Sequence, residues 1–375
     1  MHRVQLHYTL SRDAGDALIR NPLPATLEAV AREGSISRAA RALDLSYRHV
    51  WGALKHWEEE LGGELIIWGK GQSAQLSEFG TKLLWAERQA QARLAPQIAA
   101  LHADLERAFA VAFDDSAHVL TFYASHDDAL AALRAYAAQP GQGGALHLDI
   151  RFTGSVDAIR ALNEGRCTLA GFHTLERPAE NSLTARTYKP LLAPGHHKII
   201  GFAQRTQGLI VARGNPLGLR SLADVAARQA RFVNRALGTG TRVVLDDLLA
   251  QDGIDPQGIE GYDQHESSHT AVAQAVAAGS ADVGMGIELA AHARGLDFVP
   301  LALERYHLAC LKSTLDQPAT QALRDLLQTP QWHAQMAALA GYAPMHCGEV
   351  LAMSTVLPWW RFVRPKRPAP PTRKP

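Results

Sequence analysis

Between residues 34 and 61 the apolar positions fall into two short helical registers separated by a break. Ala39, Ala40 and Leu43 share one face of the first segment, and Val50, Leu54, Trp57 and Leu61, spaced by four, three and four, form one stripe on the second. Asp44-Leu45 is the turn between them. Ser35 or Ser37 stands where a hydroxyl caps the first helix and Ser46 where one caps the second, satisfying amides that a first helical turn leaves free. Off the stripe, Tyr47, Arg48, Gly52, Lys55 and His56 present polar, aromatic and cationic groups, as a major-groove recognition helix does. Spacing alone fits an ordinary helical pair equally well, and the segment after Leu61 moves the balance toward the recognition helix. Residues 64–68, a GKGQS turn and residues 74–76 predict a two-stranded wing, and residues 23–33 a support helix. VQLHYTL near the start alternates and would add a strand to that sheet.

A long helical segment comes next over 77–111, with Leu94, Ile98, Leu101 and Leu105 spaced as a dimer seam. Pro96 is expected to break or kink it, unless a second helix begins there. From His118 short β-rich runs alternate with Ala/Leu-rich helical ones, which predicts an α/β unit with a mainly parallel sheet and ligands bound where strands end and helices begin. A second such unit begins near QGLIVARGNPLGL. Divisions are expected at 1–80, 81–115, 116–345 and 346–375.

Composition narrows the partners little. The chain has 375 residues, 47% hydrophobic and 20% charged, with a formal net charge of +1, so no global field points to nucleic acid or membrane. Residues 1–112 carry 13 Lys+Arg and 13 Asp+Glu, so attraction to DNA must come from a local face such as Arg32, Arg38, Arg41, Arg48 and Lys55. Cys167, Cys310 and Cys347 are isolated, which argues against a disulfide framework or thiolate metal site. With no apolar leader and no long apolar run, the expected location is the cytoplasm. After Pro358 the tail has six basic residues, five prolines and no acids, and reads as a solvated segment that adds at most nonspecific DNA contacts.

GSISRAARALDLSYRHVWGAL and the trailing LSEFG resemble the winged helix-turn-helix of LysR-type and ModE-type regulators. That resemblance implies base contacts by Ser46, Tyr47 and Arg48, phosphate contacts by Lys55 and Lys70, and a homodimer joined through the long helix. SHD, FTGS, QGLIVARGNP, FVNRALGTGTR, SSHTAVAQAVAAGSADVGMG and LDFVPL resemble the two-lobed, type II periplasmic-binding-protein-like domain related to molybdate- and tungstate-binding proteins. The family implies that the chain crosses between lobes near Leu209 and returns near Met285. The fold class expected is therefore α/β, with an α-rich winged helix-turn-helix and long linker helix ahead of that domain.

The chemistry of FVNRALGTGTR points to an anion independently. Gly238 and Gly240 permit a tight strand-to-helix turn, Thr239 and Thr241 bring hydroxyls beside free amides, and Arg235 adds a planar donor fork. Taken alone, the turn is equally a plain helix cap. In the tungstate-binding relatives an Arg and a Thr six residues later bind the oxyanion, a spacing matched by Arg235 and Thr241. Ser125 and Ser155, each at a helix start, and His269 and Thr270, at another, are further candidates. His265-Glu266-Ser267-Ser268-His269 fits HExxH, but the serines mark a helix start, so the imidazoles do not share a helix face and no zinc site is expected. Ser125-His126-Asp127 is no triad, because adjacent residues cannot relay a proton in the needed order. The expected function is a transcriptional regulator that binds an operator and senses molybdate or tungstate, with no cofactor and no enzymatic activity. The alternatives are an organic effector, a carboxylate or pterin-related metabolite, and a molybdenum-cofactor-handling protein.

Overall fold

The computed structural model describes residues 22–68, 73–113, 118–139 and 146–360. VQLHYTL, Lys70 and the tail from residue 361 lie outside the described residues.

The N-terminal unit packs α1 (Pro22–Glu33), α2 (Ile36–Ala42) and α3 (Tyr47–Leu61) under an antiparallel wing of β1 (Ile66–Trp68) and β2 (Ala74–Leu76). Its core gathers Leu27, Val30, Ala39, Val50, Leu54 and Leu65, with Trp57 and Leu61 half-buried against it. The Ser46 hydroxyl accepts from the His49 amide at 3.1 Å, and Gly62 ends α3 in the left-handed region. Ser35 occupies the N-cap of α2 but makes no side-chain bond there, contrary to the expected hydroxyl cap. Burial of Ile36, Ala39 and Ala40 is what holds that helix to the unit.

The linker helix α4 (Glu78–Phe113) runs through Pro96 without the expected break. A proline there removes the donor for the carbonyl of residue 92. Ser268 supplies a substitute, its hydroxyl donating to the Ala92 carbonyl at 3.4 Å. Leu94 and Leu101 are 37% and 54% exposed, so they do not pack on their own domain.

The rest is one mixed sheet curled into two lobes. Lobe one contains β3 (His118–Ala124), α5 (Asp128–Ala137), β4 (Leu146–Phe152), α6 (Ser155–Asn163), β5 (Leu169–Leu175) and α7 (Leu183–Tyr188). The long β6 (His197–Val211) crosses to lobe two, made of α8 (Leu222–Ala227), β7 (Phe232–Arg235), α9 (Gly240–Asp252), β8 (His265–Glu266), α10 (His269–Ala277), β9 (Val283–Ile287) and α11 (Glu288–His292). The equally long β10 (Asp297–Leu311) returns, followed by α12 (Pro318–Leu327), α13 (Pro330–Ala337), β11 (Tyr342–Pro344), β12 (Val350–Leu351) and α14 (Met353–Val356). Strand order is β4-β3-β5-β10-β6-β9-β7-β8, with β11 and β12 added on β6. β3 is parallel to β4 and β5 in lobe one and β7 to β8 and β9 in lobe two, while β6 and β10 run antiparallel to each other and to β9 and β5 beside them, so the sheet is mixed instead of mainly parallel. β5 is buried along its whole length, with the polar His173 and Thr174 enclosed along with its apolar residues.

Two expectations are corrected. The return crossing is not near Met285, which pairs with Leu209 inside lobe two; it is on β10 at Glu304, opposite Arg205. A crossing needs a strand long enough to serve both lobes, and β9 has five residues where β6 and β10 have fifteen. The fold also passes the boundary drawn at 346, because Cys347, Met353, Leu357 and Trp359 are buried in its cores.

Candidate functional site

The first site is the face of α3. Tyr47 is 48% exposed and Arg48 lies beside it, exposed, without a carboxylate or carbonyl partner among the described residues. The other cations of that face are engaged: Arg32 with Glu33, Arg38 with the Glu33 carbonyl, Arg41 with the Ser37 carbonyl. Lys55 pairs with Glu58 at 2.6 Å, and Glu58 in turn accepts from the amides of Leu65 and Ile66, so this lysine also braces the root of the wing. That pairing, ahead of burial, raises the Lys55 pKa. The Ser46 hydroxyl is engaged as the α3 cap. The sequence reading passed over Trp51 and Trp68, 40% and 58% exposed. Trp68, Tyr47, Ser35, Ile36 and Ser37 line a cavity of about 400 Å³. The available signal was position: Trp51 lies four residues after Tyr47 and off the buried stripe. Arg48→Ala is expected to weaken specific DNA binding by about 1 to 3 kcal/mol, the value of a good base contact, with the melting temperature unchanged. A gel shift at fixed salt with wild-type affinity would remove Arg48 from the reading surface.

The second site lies between the lobes. Arg235 ends β7, Gly238 turns the chain at φ +82°, and Thr239 caps α9. The Gly240 backbone passes so close to His173 of lobe one that a Cβ there would overlap the imidazole. The Val156 amide reaches the Gly238 carbonyl at 3.3 Å, which joins the start of α6 to the same turn. Thr241 is buried, with its hydroxyl 3.0 Å from Gln207 Nε2 and 3.5 Å from His269 Nε2. Ser125 and Ser155 are buried with hydroxyls 3.4 Å apart. Ser155 opens α6 as expected, but Ser125 precedes the α5 cap, which is Asp127. Thr239 is committed elsewhere: its hydroxyl donates to the Ala236 carbonyl at 2.8 Å and accepts from the Arg242 amide. Thr270 is half-buried on α10 and is not brought into this group by any hydrogen bond. The HExxH residues divide as expected, with His265-Glu266 in β8, Ser268 as N-cap and His269 opening α10.

Arg235 is 1% exposed, and its Nε and Nη1 have no protein acceptor. Burial, and then the field of Arg205, push its pKa down to about 9, so it still carries its charge at neutral pH. Burial and Arg235 likewise push His126 down to about 4, and His269 falls well below its usual value for the same two causes. The Arg235 site thus combines a cation, neutral imidazoles and hydroxyls. Among the described residues no group of three His, Cys, Asp or Glu could hold a metal ion.

Beneath it lies a network the sequence reading missed. Arg205 on β6 contacts Glu304 on β10 and Asp127 in lobe one, and Tyr342 donates to Asp127 at 2.8 Å. Gln207 Nε2 bridges Glu304 at 3.1 Å to Thr241. The signal was charge inside each apolar run, Arg205 in GFAQRTQGLIV and the Glu304-Arg305 pair in LALERYHLAC. Burial would raise the Glu304 pKa, but Arg205 and His173 outweigh it and hold it at about 2. His307 is pushed down to about 3, first by burial and then by Arg305. Both shifts have the same sign for stability. Above about 6.5 neither costs anything; as pH falls toward 3 the unfolded chain binds a proton that buried His307 refuses, and below 4.5 Glu304 adds the same loss. The melting temperature is therefore expected to fall from pH 6.5 downward, and a scan flat to pH 4 would contradict this.

Among the described residues no helix is long and apolar enough to cross a membrane. Residues 136–328 match the PBP superfamily domain, and residues 25–81 the bacterial regulatory helix-turn-helix protein, lysR family. The chain is 29% identical over 201 residues to the uncharacterized protein YvgK of Bacillus subtilis (strain 168), covering 54% of this chain and 64% of that one, just under two thirds of its length. It is 34% identical over 110 residues to an uncharacterized protein in the ferredoxin 2Fe-2S gene 5' region of Clostridium pasteurianum, covering 29% of this chain and 97% of that one. Among solved structures, a mutant OxyR of Corynebacterium glutamicum with bound H2O2 aligns with a TM-score of 0.41 at 20% identity, covering 81% of this chain and 92% of that one. The first match spans more than half of the chain, which therefore belongs to the PBP superfamily, with a segment matching the lysR-family helix-turn-helix ahead of that domain.

Proposed function

We propose that this chain is a LysR-type DNA-binding transcriptional regulator that senses a small oxyanion, with molybdate and tungstate as first candidates, in the cleft at Arg235. The reading rests on that one side chain: a buried guanidinium with two donor nitrogens lacking acceptors. Asp127 and Glu266 act on this charge more weakly than burial and Arg205 oppose it, so a buried charge stays incompletely balanced, and an anion supplies both the charge and the acceptors. His126 and His269 feel the field of Arg235, the Thr241 hydroxyl lies 3.5 Å from His269, and the first-turn amides of α9 follow the same turn, so the surrounding polar groups suit an oxyanion better than an apolar ring would. An organic carboxylate offers the same two oxygens to the fork, so the experiment must separate them. Calorimetric titration with molybdate, tungstate, sulfate and acetate does so. Binding of acetate alone moves the effector to the organic class, and binding of none of the four removes the anion reading.

In this reading residues 1–80 contact the operator through Ser46, Tyr47, Arg48, Lys55 and Lys70, residues 81–115 join protomers, and the remaining fold senses, all within the cytoplasm. Exposure of Leu94 and Leu101 on α4 supports a homodimer. Light scattering is expected to give twice 40.7 kDa, and Leu101→Glu to reduce it to the monomer value. A wild-type mass of 40.7 kDa at micromolar protein would rule out the seam.

A further inference from the structure

Lobe two grips α4 at the start of α10. Glu266, 6% exposed, takes a two-pronged bond from Arg93, with Nη2 to Oε1 at 2.6 Å and Nε to Oε2 at 3.0 Å. The Ser267 hydroxyl donates to the Arg93 carbonyl and the Ser268 hydroxyl to the Ala92 carbonyl, each at 3.4 Å. The second of these acceptors is open because Pro96, four residues on, has no N–H to fill it. The same short stretch borders the cleft. Glu266 pairs with Arg235 in the β7–β8 ladder, and Ser268 caps the helix whose first residue, His269, lies 3.5 Å from the Thr241 hydroxyl. Five residues before Arg93, α4 is tied to α1 by Arg88 and Glu28 at 2.6 Å.

We infer that Arg93 and Glu266 are positioning residues: their ion pair clamps the linker helix to lobe two and carries the state of the Arg235 cleft to the winged helix. The role of the cleft in this statement rests on the proposed sensing of an anion at Arg235. Arg235 and Arg93 both attract the one Glu266 carboxylate. An anion bound to Arg235 answers that charge, leaves Glu266 to Arg93, and tightens the clamp. The tilt of α4 sets where each recognition helix points, so a looser clamp leaves the DNA-binding unit less preorganised. Such a contact gives the two sites a shared element that both bias, which is what coupling requires.

The test uses the full chain and a duplex enriched by the wild-type protein from a random pool. Arg93→Gln and Glu266→Gln are each expected to weaken DNA affinity about tenfold, the scale of one charge-assisted bond. The double variant should lose the same tenfold and no more, because either change alone already breaks the pair. Arg93 is 55% exposed at its side chain, so Arg93→Gln keeps the fold, and amide exchange over 88–95 should quicken in it. Single variants within twofold of wild type, or losses that multiply in the double, overturn the clamp. Sodium molybdate and sodium acetate form the second arm: a probe that binds wild type should slow exchange over 88–95, and should bind Arg93→Gln without slowing it. Equal slowing in both proteins also overturns the proposal. If none of molybdate, tungstate, sulfate and acetate binds wild type, the sensing reading fails, and the DNA cycle still decides the clamp.

Discussion

Arg235→Ala is expected to weaken binding of the cleft's anion at least tenfold and to abolish the change in DNA binding that the anion brings about. The guanidinium makes charge-assisted bonds worth about 1.5 to 3 kcal/mol each, and one such bond already corresponds to about a tenfold change in affinity. Ligand can drive the lobes only by the difference in its affinity for two states, and a variant that no longer binds it has no difference to use. Arg235→Lys keeps the charge and loses the planar fork, so it should fall between the two. Stability moves the other way. Arg235 is buried without an acceptor at two nitrogens, so Arg235→Met, apolar and of similar length, should leave the ligand-free protein at least as stable as wild type. Calorimetry and thermal melting on the same samples check both halves, and undiminished anion affinity in Arg235→Ala would place the site elsewhere.

Arg205 gives the opposite pattern, although it is equally hidden. Its guanidinium is 2% exposed and answers Glu304 and Asp127 together, and Asp127 also caps α5 by accepting from Ala129 and Leu130. Arg205→Met leaves two buried carboxylates without a cation, a change that costs about 3 to 5 kcal/mol. Neutralising the carboxylates as well, with Asp127→Asn and Glu304→Gln, should recover part of that loss, since no uncompensated charge then remains. Urea unfolding is the measurement. A single Arg205→Met variant within about 1 kcal/mol of wild type would mean that the network is not what holds the crossing strands, about which both lobes are organised.

Local pattern determined much of this protein. The α3 stripe, the Ser46 cap, the short wing and the strand-helix alternation each depend on residues a few positions apart, so the chain displays them without its fold. The Arg235 to Thr241 turn was legible for the same reason: strand end, glycine turn and helix start are contiguous. Contacts between distant segments were hidden. Arg205 is 78 residues from Asp127 and 99 from Glu304, and only the curled sheet brings the three together. Pro96 read as a break because its missing donor is a local fact, whereas the hydroxyl that answers the freed carbonyl comes from Ser268, 176 residues away from Ala92. The return strand was misplaced because an apolar run in the sequence does not state its partner. Register along β6 and β10 decided that, since among the described strands only those two are long enough to serve both lobes.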